Sequence, residues 1–181
     1  RLSLHLTWAF LIFAYTLWVA LDLIYPNNTE VILPLRKLAR ITLFFTVLQI
    51  IYGGFVAGLD AGFVHNHWPM MSDGQFFHDS IMLEKDSWLL RFTEGKSGVQ
   101  FVHRTIAYIV VGLILFLFFS SKKYALTKEQ KKGLNALLFV VFLQFTLGVL
   151  TLLNHVPLWL GVTHQAGAFF LLAAVTYTLH R

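Results

Sequence analysis

The sequence predicts an all-α, polytopic membrane protein with five transmembrane helices, and three observations predict it. Five apolar runs are each long enough to cross a bilayer, which takes about 20 helical residues. Only 13% of the 181 residues are charged, against roughly 25% in an ordinary soluble domain. Hydrophobic residues make up 57% of the chain, and its mean hydropathy is +0.67. Finally, the lysines and arginines behind the net charge of +5 gather between the apolar runs and do not interleave with exposed aromatics. That pattern is membrane topology, and nucleic acid is not an expected partner. The absence of cysteine excludes disulfides, iron–sulfur clusters and thiolate zinc sites. Eight histidines remain as the side chains suited to hold a transition metal inside a membrane.

The first run covers residues 4–25 and ends at Pro26-Asn27-Asn28. The second, residues 41–59, follows the basic cluster Arg36, Lys37 and Arg40. The third, 101–119, is closed by Ser120-Ser121-Lys122-Lys123; the fourth is 134–153; the fifth, 158–179, follows the short turn Asn154-His155-Val156-Pro157. Residues 60–98 mix acids, tryptophans and glycines and form the sizeable extramembrane loop. Nine of the 14 lysines and arginines fall on one side, in 26–40, 120–133 and the C-terminus. The positive-inside rule therefore puts the C-terminus in the cytoplasm and loop 60–98 outside. The chain opens at Arg1 without a methionine and runs straight into an apolar stretch, so it is expected to be a piece of something longer.

Ionisable side chains are costly inside a span and are functional candidates by default. His103 stands in VQFVHRTIAY, residues 99–108, and His164 in GVTHQAGAF, residues 161–169. At about 1.5 Å of rise per residue, His103 is about 28 Å from Lys122 and His164 about 26 Å from Arg181. The two are thus level, near the outer boundary, on helices running in the same direction. His5 has a similar depth in the first run. Two neutral imidazoles from facing helices would make a six-coordinate, low-spin heme iron suited to electron transfer. The alternative is a pair of interfacial histidines bonded to backbone or lipid headgroups. Arg104 is open to two readings in the same way: partner of a heme propionate, or a snorkelling headgroup anchor.

Weak repetition supports a modular plan. His5 and His164 are each followed by x-x-x-Ala-Phe, at Ala9-Phe10 and Ala168-Phe169. Gln49 and Gln144 each precede a glycine by four residues, Gly53 and Gly148. Spans two–three and four–five then read as related helix pairs forming a four-helix bundle, with the first span belonging to another bundle.

Other polar or small residues carry quieter expectations. Gly54, Gly58 and Gly62 form a small-residue face for close helix approach or for space beside a flat macrocycle. Asp60 at its end is suited to capping loop amides. His65 and His67 have metal-like spacing but lack further ligands, so copper or zinc is not expected, and Trp68 reads as an interfacial anchor. His78, His155 and His180 are expected in solvent. Gln49, Gln144, Thr146 and Thr151 are expected to bond between helices.

The stretches YGGFVAGLDAGFVHNHWPMM, VQFVHRTIAY, QFTLGVLTLL and THQAGAFFLL, in that order, resemble the second half of heme A synthase, and RLSLHL resembles the last helix of its first half. The resemblance covers nearly the whole chain apart from residues 72–98. It implies eight spans in two pseudo-symmetric four-helix bundles and conversion of heme O to heme A, by oxidation of a ring methyl to a formyl group. It implies that His103 and His164 are the axial ligands of a resident heme b and that His5 faces the substrate heme O. It further implies that His5's partner, and the glutamate of the chemistry, lie on a helix absent from this sequence, so no catalytic residue is assigned here. The sequence departs from the family pattern at His65 and His67, where tyrosine or threonine is usual, and lacks the outer-loop cysteine pair of some members.

Under that resemblance, residues 1–25 are the last helix of the substrate-heme half, 26–40 a cytoplasmic linker, and 41–181 the heme b bundle with outer loop 60–98. A bis-histidine heme has no open iron position and suits electron relay. This chain alone is therefore expected to bind heme without making heme A. Expected partners are membrane lipid, heme O and heme A, with heme O synthase, an electron donor and a second copy of the chain as candidates. The expected location is a bacterial inner membrane, or the mitochondrial inner membrane with the C-terminus in the matrix. The alternative function is a membrane b-type cytochrome module that passes electrons without modifying heme.

Overall fold

The computed structural model describes residues 2–25, 31–72 and 74–181. Among them are seven α-helices, five of which are long and apolar enough to cross a membrane. These five are α1 (Leu2–Ile24), α2 (Leu33–Gly58), α5 (Lys96–Ser121), α6 (Lys128–Leu153) and α7 (Leu158–His180). Two short helices, α3 (Ser80–Leu83) and α4 (Trp88–Thr93), and a 3-10 turn at Ala61–Phe63 lie in the connection between α2 and α5. The protein is all-helical and integral to the membrane. Arg1 and the Pro26-Asn27-Asn28 stop lie outside the described residues.

Each helix reaches beyond its apolar run where local chemistry allows. Pro34 sits in the first turn of α2, where its missing N–H would have no helical partner anyway. Residues 33–40, expected as linker, are consequently helical. α6 begins six residues before its apolar run because Thr127 and Gln130 form a reciprocal capping box, satisfying two otherwise orphaned amides. α5 starts at Lys96, inside the expected loop. A Cβ at Gly98 would lie 2.0 Å from the Arg91 carbonyl oxygen, so the tight corner between α4 and α5 tolerates only glycine there.

The long helices pack in a closed cycle, α2 on α5, α5 on α6, α6 on α7 and α7 on α2, while α1 lies outside against α2 and α7. Alternation along the chain makes α5 and α7 parallel, and the cycle sets them diagonally opposite. One stripe of each helix faces inward. Buried Ala39, Thr42 and Thr46 on α2 match buried Leu134, Leu137 and Val141 on α6, in heptad-like steps of three and four residues. On α5, buried Val99, Val110 and Ile114 match buried Leu160, Leu171 and Val175 on α7. The correspondence is a shift of 95 residues in one pair and 61 in the other, and it sets the expected repetition in three dimensions.

The apolar filling is uneven along the interior. Ile106, Val110, Ile114, Leu117, Leu134, Leu137, Val141, Leu171 and Val175 form one contiguous core, displaced toward the ends of α5 and α7 and away from the loop. α1 joins through a second cluster of Phe10, Ile50 and Leu172. There Phe10 stacks on Phe169 with ring centroids 4.0 Å apart. These are the phenylalanines of the two His-x-x-x-Ala-Phe repeats, so equivalent positions of α1 and α7 meet each other.

Candidate functional site

Above that core, the inward stripes of α5 and α7 continue into His103 and His164, seven and six residues after the helices begin. The two are therefore level.

Each histidine is met by a glutamine and a glycine of the preceding long helix. Gln49 and Gly53 of α2 face His103: the Gln49 side-chain nitrogen is 3.3 Å from His103 Nε2, and a Cβ on Gly53 would be 3.3 Å from His103 Cε1. Gln144 and Gly148 of α6 face His164. Gln144 Nε2 donates to the His164 carbonyl oxygen at 2.9 Å, and a Cβ on Gly148 would be 2.9 Å from His164 Cε1. The Gln-x-x-x-Gly repeat is thus two histidine cradles. The glycine lets the ring approach the helix, and the glutamine one turn away fixes the ring or its backbone. Gln144 in turn needs Gly167, where a Cβ would be 2.1 Å from the glutamine Oε1.

The donor set fits a heme. The Nδ1 atoms of both His103 and His164 are buried and have no hydrogen-bond partner. Such an atom costs on the order of 1–3 kcal/mol unless something satisfies it. Two buried imidazoles, each backed by a glycine, are a donor set of the kind that suits a heme iron.

Arg104, next along α5, donates through one terminal nitrogen to the His67 carbonyl oxygen and, at 3.4 Å, to that of Met70. It therefore pins the loop over the histidine end, while its other terminal nitrogen is buried without a partner. His5 is exposed on α1. The small-residue face splits. Gly54 clears room for α1, since a Cβ there would be 2.9 Å from Ser3 Cα, and Gly62 clears room for Val156. Asp60 makes no side-chain cap. Thr151 bonds back to the Leu147 carbonyl of its own helix at 2.7 Å, the usual recourse of a short hydroxyl, and Thr146 is exposed. Of the four polar residues expected between helices, Gln49 and Gln144 do so bond.

The expectation that His78 and His180 are solvated is not met. His180 has a side chain 7% exposed, with Nε2 2.8 Å from Asp22. His78 belongs to a polar network that sequence reading missed. Ser97 on the first turn of α5 donates its hydroxyl proton to Glu84. Ser80 Oγ donates to Ser97 Oγ at 2.8 Å, and His65 Nε2 is 2.9 Å from the same oxygen. With the Ser97 proton already given to the carboxylate, His65 must be the donor and carries its proton on Nε2. His78 Nδ1 lies 2.8 Å from Ser80 Oγ, and its ring is 4.5 Å from that of His65. Burial, reinforced by nearby His78, lowers the His65 imidazole from its ordinary value, against the pull of Glu84. The loop is tied further by Gln100 Nε2 to the His65 carbonyl at 3.2 Å and by Asn66 to the Leu152 carbonyl at 2.8 Å. Apart from His78 and Ser80, which are two residues apart, these partners are 13 to 86 residues apart, so no local signal announces the network.

Fold and site together define an integral membrane helical protein whose interior carries a cradled histidine pair. The chain belongs to the cytochrome oxidase assembly protein family, COX15-CtaA, whose profile matches residues 1–176. It is 77% identical over 181 residues to "Heme A synthase" of Flavobacterium psychrophilum, covering 100% of this chain and 53% of that protein. It is 66% identical over 182 residues to "Heme A synthase" of Flavobacterium johnsoniae, again 100% of this chain and 53% of the relative. "Heme A synthase COX15" of Saccharomyces cerevisiae is 33% identical over 201 residues, covering 96% of this chain and 41% of the yeast protein. The chain thus spans about half the length of the curated relatives it matches. No solved structure matches it.

Proposed function

We propose that this chain is the resident-heme part of a heme A synthase, the oxidoreductase that converts heme O to heme A. In this reading α2, α5, α6 and α7 form a four-helix bundle that holds heme b between His103 and His164. The observation that carries the proposal is the doubled cradle, Gln49 and Gly53 about His103 and Gln144 and Gly148 about His164.

When bound, a bis-histidine heme supplies one-electron transfer and leaves no iron position for substrate. The protein's own residues prepare that role. His103 and His164 provide the ring nitrogens, Gln49 restrains the His103 ring, and Gln144 holds the His164 backbone. The Ile106–Leu117 side of the core excludes water from below, while the loop tied by Arg104 and His65 covers the opposite side. In this reading Arg104 donates to a propionate at the loop end, which its buried, unpartnered Nη1 supports. Oxidation of the substrate methyl is assigned to a second bundle to which α1 belongs, with His5 toward heme O. The contact of Phe10 with Phe169 supports that arrangement, because equivalent residues meet where a two-fold axis passes. On this reading the loop faces outside and the C-terminus the cytoplasm.

The test is spectroscopic. The complete protein carrying this sequence should purify red, with a low-spin bis-histidine spectrum, and extraction should yield heme b together with heme O or heme A. Heme b alone, with no heme A formed in cells supplied with heme O, would make the protein an electron-transfer cytochrome instead. A colourless protein would reject both.

A further inference from the structure

The helix ends opposite the histidine pair enclose a cavity of about 260 Å³, lined by α1, α2, α5, α6, α7 and the approaches to them. Nine of the chain's 14 lysines and arginines belong to this end. Two of them, Arg36 and Arg181, line the cavity itself. Arg36 is half-buried, and its Nε is buried with no hydrogen-bond partner. The Arg181 guanidinium sits 4.2 Å from the centre of the Tyr25 ring, which orients it along the wall. Among the described residues the carboxylate in the lining is Asp22, engaged by His180 at 2.8 Å.

The rest of the lining is mostly apolar, with Gln130 and Thr178 as its polar members: Leu35, Ala39, Leu117 and Leu134 are aliphatic, with Trp18 to one side. The cavity therefore has a cationic, donor-rich mouth and an apolar floor. A guanidinium with a desolvated, unpaired N–H recognises oxyanions, and phosphate above all, through its planar fork of donors. Basic pockets between transmembrane helices are suited to anionic headgroups. At this volume the occupant is a phosphate with a small attached group, and a tetrapyrrole is too large.

We propose that this cavity is a binding site for a phosphate-bearing anion, held by Arg36. An anionic lipid headgroup and a soluble phosphate ester carry the same chemistry. The site is independent of the heme reading, since it lies at the far end of the helices and shares no residue with the histidine cradles.

The experiment measures thermal unfolding and native mass spectrometry on the purified full chain. The protein is delipidated and then given phosphatidylglycerol, phosphatidylcholine, glycerol 3-phosphate or inorganic phosphate. Phosphatidylglycerol should bind and raise the unfolding midpoint above phosphatidylcholine. Arg36→Gln should lower that affinity roughly tenfold, the loss of one charge-assisted contact. Lys37→Gln removes the same charge from the exposed neighbouring position and should leave affinity unchanged. Arg36→Lys should fall between, which guards against a folding defect in the glutamine variant. Equal effects of Arg36→Gln and Lys37→Gln would overturn the site, as would equal binding of the two lipids with no response to either soluble phosphate. Arg36-dependent stabilisation by the soluble phosphates alone would keep the site and assign its occupant to the aqueous phase.

Discussion

Gly148 and His164 approach so closely that a methyl group on residue 148 would stand 2.9 Å from the His164 ring carbon. Real Cβ atoms do not sit at that distance, so the ring or the helix would have to shift. Gly148→Ala should therefore reduce heme retention by about tenfold, as overpacking of a tight interior costs on the order of 1–3 kcal/mol. Gly53→Ala, with 3.3 Å to the His103 ring, should have a smaller effect. Gly112→Ala and Gly161→Ala, where nothing lies within 4 Å, should have none. Heme-to-protein ratios after purification make the comparison.

His103→Ala and His164→Ala should each abolish the low-spin signal while leaving membrane insertion intact. The apolar runs that drive insertion do not depend on either ring. Absorption and paramagnetic resonance spectra check this, and an unchanged spectrum in either variant would refute the axial pair.

Gln144→Leu removes the hydrogen bond to the His164 carbonyl. The lost interhelical bond averages about 0.6 kcal/mol, so heme affinity should fall roughly threefold. A change of tenfold or more, measured by heme titration of the apoprotein, would mean that Gln144 does more than position its neighbour.

The loop over the site should loosen in acid. His65 takes up a proton less readily in the folded protein than in the unfolded one, because it is buried beside His78. The more weakly protonated folded state is then at full stability above the unfolded value of about 6.5. Stability declines as pH falls from there through the lowered folded value. Amide protection across residues 61–97, corrected for the intrinsic pH dependence of exchange, should be weaker at pH 5.5 than at pH 7.5, and His65→Gln should flatten the dependence. An unaltered profile in that variant would assign the acid response elsewhere.

Arg104→Ala should free the His67 and Met70 carbonyls and raise amide exchange in residues 66–72 without changing exchange at the 120–133 turn. Hydrogen-exchange mass spectrometry at pH 7.5 resolves both segments.

The spans were legible because hydrocarbon imposes one solution on the backbone, a helix of about 20 apolar residues. The level of His103 and His164 was legible too, since rise per residue is fixed. Their cradles were half legible. Gln49-x-x-x-Gly53 and Gln144-x-x-x-Gly148 stood out as a repeat, but not as the surfaces that receive the two rings. Helix ends were less so, because capping by Thr127 and the first-turn proline Pro34 extend helices into polar sequence that hydropathy does not mark.

What the sequence determined by itself was the number of long apolar helices and the place of each histidine along its helix, both consequences of local chain geometry in an apolar solvent. The tertiary structure alone decided which helix faces which. It set α5 diagonally across from α7, drew Glu84, Ser80 and His78 onto His65 and Ser97, and brought Asp22 to His180. Those contacts join residues up to 158 positions apart. They are selected by packing of whole helices, and no short-range pattern of residue types encodes that choice.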